Sequence, residues 1–218
     1  FTDGPIELWS RPEPANAAEF QESLEAYQKV LAQLREKGVA TAGYVDRPGA
    51  NHVVSLLEVG MTPEDQLAYV RAQTPLRGAA DRYLFAKLLP PGARSAVFGL
   101  QAKSADTYQD ELSLHFFYLN VGTERKAKIA RVEIPAWVAN DQQMLDPLHA
   151  VLVNQSKVVG SRAYPYILHR AHEAAVVTRL DREQVTQMIM LELRRRGLEV
   201  GELSEKQFLK GIAGRNRY

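Results

Sequence analysis

The run Leu114-His-Phe-Phe-Tyr-Leu119 is apolar enough for a strand at the centre of a sheet. Two neighbours accompany it, because Ser95 to Leu100, Leu112 to Val121 and Lys128 to Ile134 follow one another as strand candidates separated by polar, turn-rich segments. Toward the N-terminus lie two more. The first, Phe1-Thr-Asp-Gly-Pro-Ile-Glu-Leu-Trp9, ends in Ser10-Arg-Pro-Glu-Pro14, which cannot continue a ladder. The second, Val39-Ala-Thr-Ala-Gly-Tyr-Val-Asp46, closes at the turn Arg47-Pro48-Gly49. Between them Asn16-Ala-Ala-Glu19 has capping-box spacing, and Phe20, Leu24, Tyr27, Leu31 and Leu34 recur at helical intervals until Gly38.

The remaining segments are mainly helical. Pro63 to Gln73 and Ala79 to Leu89 predict helices, the second closing at Pro90-Pro91-Gly92, while Asn51 to Leu57 fits strand or helix. After Pro135 come Asp141 to Val153, Tyr164 to Val177 and Asp181 to Arg196. The last opens on the capping box Asp181-Arg-Glu-Gln184, ends in three arginines that suit the negative end of the helix dipole, and stops at Gly197. The expected architecture is α/β, a mixed sheet of about five strands flanked by helices.

Composition narrows the class. A chain of 218 residues, 45% hydrophobic and 24% charged, is long enough to bury one sizeable core and is expected to form a single domain over 1–218. With no cysteine, disulfides, thiolate metal sites and a cysteine nucleophile are excluded. The net charge of +1 gives no global pull on nucleic acid, so such a partner would need a local basic surface. Arg125, Lys126, Lys128 and Arg131 form one basic stretch, and Lys206, Lys210, Arg215 and Arg217 another; either also fits a solvated face. No apolar run reaches the roughly 18 residues of a membrane span, and no signal-peptide layout is present, so a soluble, cytoplasmic protein is expected, nucleoid-associated in the case that its partner is DNA. Because Phe1 falls inside a strand pattern, further sequence is expected to precede it.

Candidate chemistry starts from two acids on separate strand-like segments, Asp3 and Asp46, joined later in the chain by His172, expected on the first turns of a late helix. Phosphodiester cleavage needs an activated water and neutralised charge at the reacting phosphate, and a pair of divalent cations about 3.5–4 Å apart supplies both. Carboxylate oxygens suit Mg²⁺ or Mn²⁺, and an added imidazole moves the preference toward Mn²⁺. Asp3, Asp46 and His172 provide that donor set, which points to a metal-dependent nuclease. Taken singly, each aspartate also reads as a turn-capping residue and His172 as a half-buried helix histidine. Competing chemistries lose support, since the chain has no phosphate-binding loop, dinucleotide fingerprint, Gly-x-Ser-x-Gly elbow or His-Glu-x-x-His motif.

Five motifs occur in order: Asp3-Gly4, Gly43-Tyr-Val-Asp46-Arg47-Pro48, Pro91-Gly-Ala-Arg94-Ser95-Ala-Val-Phe98, Arg131-Val-Glu133-Ile-Pro135, and Tyr164-Pro-x-x-Leu-x-x-Ala-His172. Together they resemble the NurA nuclease family over nearly the whole chain. The resemblance implies an RNase H-like, Argonaute/PIWI-related core and a Mn²⁺-dependent deoxyribonuclease, with Mg²⁺ as the alternative ion. Its activities would be 5′-to-3′ exonuclease and single-strand endonuclease. It also implies a homodimer that works on single-stranded DNA and duplex ends with a HerA-type hexameric ATPase, in DNA end resection and double-strand break repair.

Carried onto this chain, the resemblance makes Asp3 and Asp46 the strand ligands and Tyr164 and His172 the late pair. A glutamate should complete the acids. Glu25 is the choice, Glu22 and Glu19 compete, and Glu133 is an alternative that could equally pair with Arg131. Arg47, Arg125, Lys126 and Lys128 are the candidate DNA contacts. The chain departs from the family in having Pro5 where a serine is common, and in lacking the helical region that usually precedes the first strand. A different class of function stays open, a non-catalytic DNA-binding adaptor of a translocating ATPase in which Arg125, Lys126, Lys128 and the basic tail hold phosphate. An unrelated α/β binding protein is the third reading.

Overall fold

Strands with both faces apolar take the interior of the sheet, and the two long ones do so here. The computed structural model describes residues 1–8, 17–69, 76, 78–100, 107–176 and 179–197. In chain order its elements are β1 (Thr2–Asp3), α1 (Ala17–Glu36), β2 (Gly43–Asp46), α2 (His52–Met61), α3 (Asp81–Leu88), β3 (Phe98–Gly99), β4 (Leu114–Asn120), β5 (Ile129–Pro135), α4 (Ala136–Ala139), α5 (Gln142–Val158), α6 (Tyr166–Ala175) and α7 (Arg179–Arg195). The five strands form one mixed sheet in the order β1-β2-β5-β4-β3, with β1 parallel to β2 and every other pair antiparallel.

Alternation along β4 and β5 divides the core in two. Phe117, Leu119, Ala130, Val132 and Ile134 face one layer, packed with Leu24 and Leu31 of α1, Leu145, Leu148 and Leu152 of α5, and Leu168 of α6. Phe116, Tyr118 and Ile129 face the other, against Val53 of α2 and Phe85 of α3. The ambiguous Asn51 to Leu57 segment is the start of α2, and a carboxylate distant in sequence decides it. Asp81, 0% exposed, accepts hydrogen bonds from Val53 N at 3.0 Å, Val54 N at 2.8 Å and the Tyr118 hydroxyl at 2.6 Å. It thus satisfies amides at the start of α2 where that helix lacks a local side-chain cap.

Several expected boundaries move. The first strand is only Thr2–Asp3, because Gly4 turns the chain at φ 120° and Pro5 offers no amide hydrogen. Beyond that turn the backbone crosses β2 at Gly43, where an added Cβ would lie 2.3 Å from Ile6 N. Ser95 to Leu100 contracts to Phe98–Gly99, although Ser95 N and Leu100 N still bond to Tyr118 O and Leu114 O. Of Pro63 to Gln73 the described part is a 3₁₀ stretch, Glu64–Tyr69. Helix α7 begins at Arg179, so Asp181 sits in its first turn and does not cap it, while the cap expected at Asn16 lies outside the described residues.

Two compact units are distinguished along the chain, Phe1–Glu173 and Ala174–Tyr218. All five strands belong to the first. No helix among the described residues is long and apolar enough to cross a membrane.

Two substitutions test this account. Gly43→Ala is expected to displace β1 at a local cost of about 1–3 kcal/mol. Hydrogen exchange at the Thr2 and Gly4 amides should accelerate while the amides shared by β4 and β5 keep their protection; unchanged exchange at Thr2 and Gly4 would contradict the crossing. Asp81→Ala leaves the Tyr118 hydroxyl and the two α2 amides without their acceptor and should lower unfolding free energy by about 3 kcal/mol in urea. A loss under about 1 kcal/mol would show that water replaces the carboxylate.

Candidate active site

Parallel pairing of β1 with β2 brings the two aspartates to one place. Asp3 is the register partner of Tyr44, and Asp46 stands two residues beyond Tyr44, so alternation directs all three side chains to the same face of the sheet. Asp3 and Asp46 are partly open to solvent, with side chains 45% and 34% exposed. Tyr44 is buried beneath them, and burial, followed by the Asp46 charge, pushes its hydroxyl well above the usual tyrosine range.

The late motif closes over this edge. A 3₁₀ turn, Gly160–Arg162, ends in the left-handed Ala163 (φ 45°), and the next residue, Tyr164, lies edge-on to Tyr44 with ring centroids 5.4 Å apart. Its hydroxyl donates to Asp3 Oδ1 at 2.5 Å. Burial raises the Tyr164 pKa first, and the bond to Asp3 and the charges of Asp3 and Asp46 raise it further, so the phenol stays protonated and serves as a donor. Pro165 then leads into α6, and His172 brings Nδ1 to 3.7 Å from Asp3 Oδ2, an ion-pair distance too long for a hydrogen bond. His172 belongs to the last turn of α6, not to the first turns expected, and its side chain is 68% exposed.

A cation completes the cluster. Lys128 Nζ lies 3.1 Å from Asp46 Oδ1, donates to Arg162 O at 2.7 Å, and sits 5.7 Å from the centroid of the Tyr164 ring. Its backbone amide is held by Asn120 Oδ1 at 3.2 Å, and Gly122 allows the hairpin to close because an added Cβ would meet Lys126 O at 2.3 Å. Among the described residues no group of three or more histidine, cysteine, aspartate or glutamate side chains is arranged to hold a metal ion.

Among the described residues the other expected acids join no metal-holding group. Glu25 is exposed on α1 and accepts from Gln21 Nε2 at 3.0 Å, a contact within its own helix. Glu133, the alternative acid, is 1% exposed and alternates to the opposite face of the sheet from Tyr44. There it accepts from Arg131 Nη2 at 2.5 Å and from Ile6 N at 3.1 Å, which makes it a structural carboxylate. Arg131 also reaches His52 Nε2 at 3.3 Å, and burial, then the Arg131 charge, lowers the His52 pKa. Arg125 and Lys126 stand exposed in the turn between β4 and β5, and Arg47 is exposed beside Asp46 with φ 48°. Lys128 differs from these three, since its charge is already engaged by Asp46. The basic tail lies outside the described residues.

Sequence reading places Lys128 among the DNA contacts and misses its partner. The missing information is register: Asp46 pairs with Ala130, two residues beyond Lys128, and nothing in the local sequence fixes that alignment. Tyr44 is legible, because a residue two before a strand-end acid shares its face.

No curated protein and no solved structure matches this chain. A family model described as the NurA domain matches residues 1–177, a span that contains Asp3, Asp46, Lys128, Tyr164 and His172. The chain therefore belongs to the NurA nuclease family.

Proposed function

We propose that the edge formed by Asp3, Asp46, Tyr164 and His172 is the active site of a Mn²⁺-dependent deoxyribonuclease. One observation carries the reading: two partly exposed carboxylates share a face of adjacent strands, and a protonated tyrosine from a distant segment fixes one of them. Although no three such side chains are gathered around a metal position among the described residues, two carboxylates suffice for a hard divalent ion that keeps several waters and takes phosphate oxygens from its substrate. Asp3 and Asp46 would hold the ion, and His172 beside Asp3 favours Mn²⁺ over Mg²⁺. When bound, such an ion supplies an activated water and neutralises charge at the phosphate. Tyr164 keeps Asp3 oriented without itself giving up a proton near neutral pH.

Family membership supports the wider reading: 5′-to-3′ exonuclease and single-strand endonuclease activity, an RNase H-like core, and a homodimer serving a HerA-type hexameric ATPase in end resection. The five-stranded mixed sheet with helices on both faces is compatible with that core. Glu25 remains the proposed third acid only if substrate or a second chain brings it to the strands. Arg47, Arg125 and Lys126 are exposed cations available to DNA phosphates.

Cleavage of single-stranded and blunt duplex DNA should appear with Mn²⁺, vanish in excess chelator, and fall in Asp3→Ala and Asp46→Ala beyond the about 100-fold typical of losing an outer partner. Metal-independent DNA binding that survives Asp3→Ala, with no cleavage by the parent protein, would instead establish the adaptor reading.

Tyr164→Phe removes such an outer partner and should lower Mn²⁺-supported cleavage about 10- to 100-fold while changing unfolding free energy by about 1 kcal/mol. His172→Ala, at an exposed position, should reduce cleavage and leave the thermal midpoint in place. Normal specific activity in a destabilised His172→Ala protein would remove His172 from the site.

A further inference from the structure

Asp46 has a resident counter-charge. Lys128 Nζ lies 3.1 Å from Asp46 Oδ1, and the pair is less exposed than an ordinary surface ion pair, with side chains 19% and 34% accessible. The ammonium is also aimed. Arg162 O accepts from it at 2.7 Å, the Tyr164 ring lies 5.7 Å away, and the backbone beneath is tied to Asn120. A freely solvated lysine has no such set of restraints, so this geometry fixes a positive charge beside one of the two carboxylates that the nuclease reading assigns to the ion.

We propose that Lys128 is a positioning residue that competes with the divalent cation for Asp46 and thereby sets the metal requirement of the enzyme. The inference rests on the active-site reading above. Its physics is direct: an ammonium close to a carboxylate must be displaced or tolerated when a doubly charged ion arrives, and either course weakens ion binding. The same ammonium holds Asp46 in place before the ion binds. Removing it should therefore act in opposite directions on two measurements, tightening the ion and slowing the reaction. A residue that only packed would loosen the ion or leave its affinity alone.

The test uses the full chain without DNA, titrated with Mn²⁺ and followed by the electron paramagnetic resonance signal of the free ion. Lys128→Met, which keeps the aliphatic stem against Tyr164, should bind Mn²⁺ about 5-fold more tightly than the parent, the upper end of what an ion pair of this exposure contributes. Lys128→Arg, which keeps the charge, should bind within about 2-fold of the parent. In cleavage assays at saturating Mn²⁺, Lys128→Met should show lower kcat with little change in KM. Lys128→Ala serves as a second charge-removing variant should the methionine protein fail to fold. Unchanged or weaker Mn²⁺ binding by a folded charge-removing variant overturns the inference alone. Absence of Mn²⁺ binding by the parent chain, or binding that survives Asp3→Ala together with Asp46→Ala, overturns the active-site reading and this inference with it.

Discussion

The crossing of the N-terminal chain over Gly43 is the contact on which the site depends. A strand of two residues contributes too little pairing to hold itself, even with Thr2 N bonded to Ala42 O and Gly4 N to Tyr44 O, each at 2.9 Å. Residues just beyond the strand fix its position. Ile6 is 2% exposed in the core, its amide donates to Glu133, its carbonyl accepts from Tyr27 Oη at 2.6 Å, and Leu8 N reaches Tyr108 Oη at 2.9 Å. These anchors lie on α1, β5 and the segment before β4, so Asp3 is located by the assembled domain more than by its own strand.

The two faces of the sheet divide the work of charged groups. Behind the sheet, Asp81 and Glu133 are buried carboxylates satisfied by amides, a phenol and a guanidinium, and they hold α2 and the N-terminal crossing in place. A buried carboxylate without those partners would be costly, which explains why each accepts several hydrogen bonds. At the open edge of the other face, Asp3 and Asp46 keep solvent access and have fewer fixed partners. Carboxylates of the same type are thus either fully satisfied inside the fold or left open at its edge, where the proposed site needs them.

The sequence is informative wherever local pattern suffices. Five strand segments and the long helix after the Pro-rich stretch can be read from periodicity and turn residues, while Asp3, Asp46 and His172, with Tyr164 added by the family resemblance, are a proposed set whose Tyr164 and His172 the fold brings to Asp3. The features that escape such reading depend on long-range pairing. Asn51 to Leu57 has no decisive period, and it is helical because Asp81 meets its amides from about thirty positions away. Glu133 resembles a catalytic acid until register places it on the far face with Arg131. The same register pairs Ala130 with Asp46 and so brings Lys128 to that carboxylate, a neighbour that charge counting treats as one more solvated cation.

Two of the three non-glycine residues with positive φ among the described residues flank the proposed site. Arg47 follows Asp46 and Ala163 precedes Tyr164, and both hold left-handed conformations, φ 48° and φ 45°, that side-chain-bearing residues adopt at an expense of about 1–2 kcal/mol. The domain is therefore locally less favourable at the two joints that aim its carboxylate and its phenol. Selection for folding stability alone would tend to relax either joint, and each relaxation would turn the adjoining side chain away from its partner. The tension at both positions sets thermal robustness against a well-aimed site, and a variant improved for the first is expected to drift in the second.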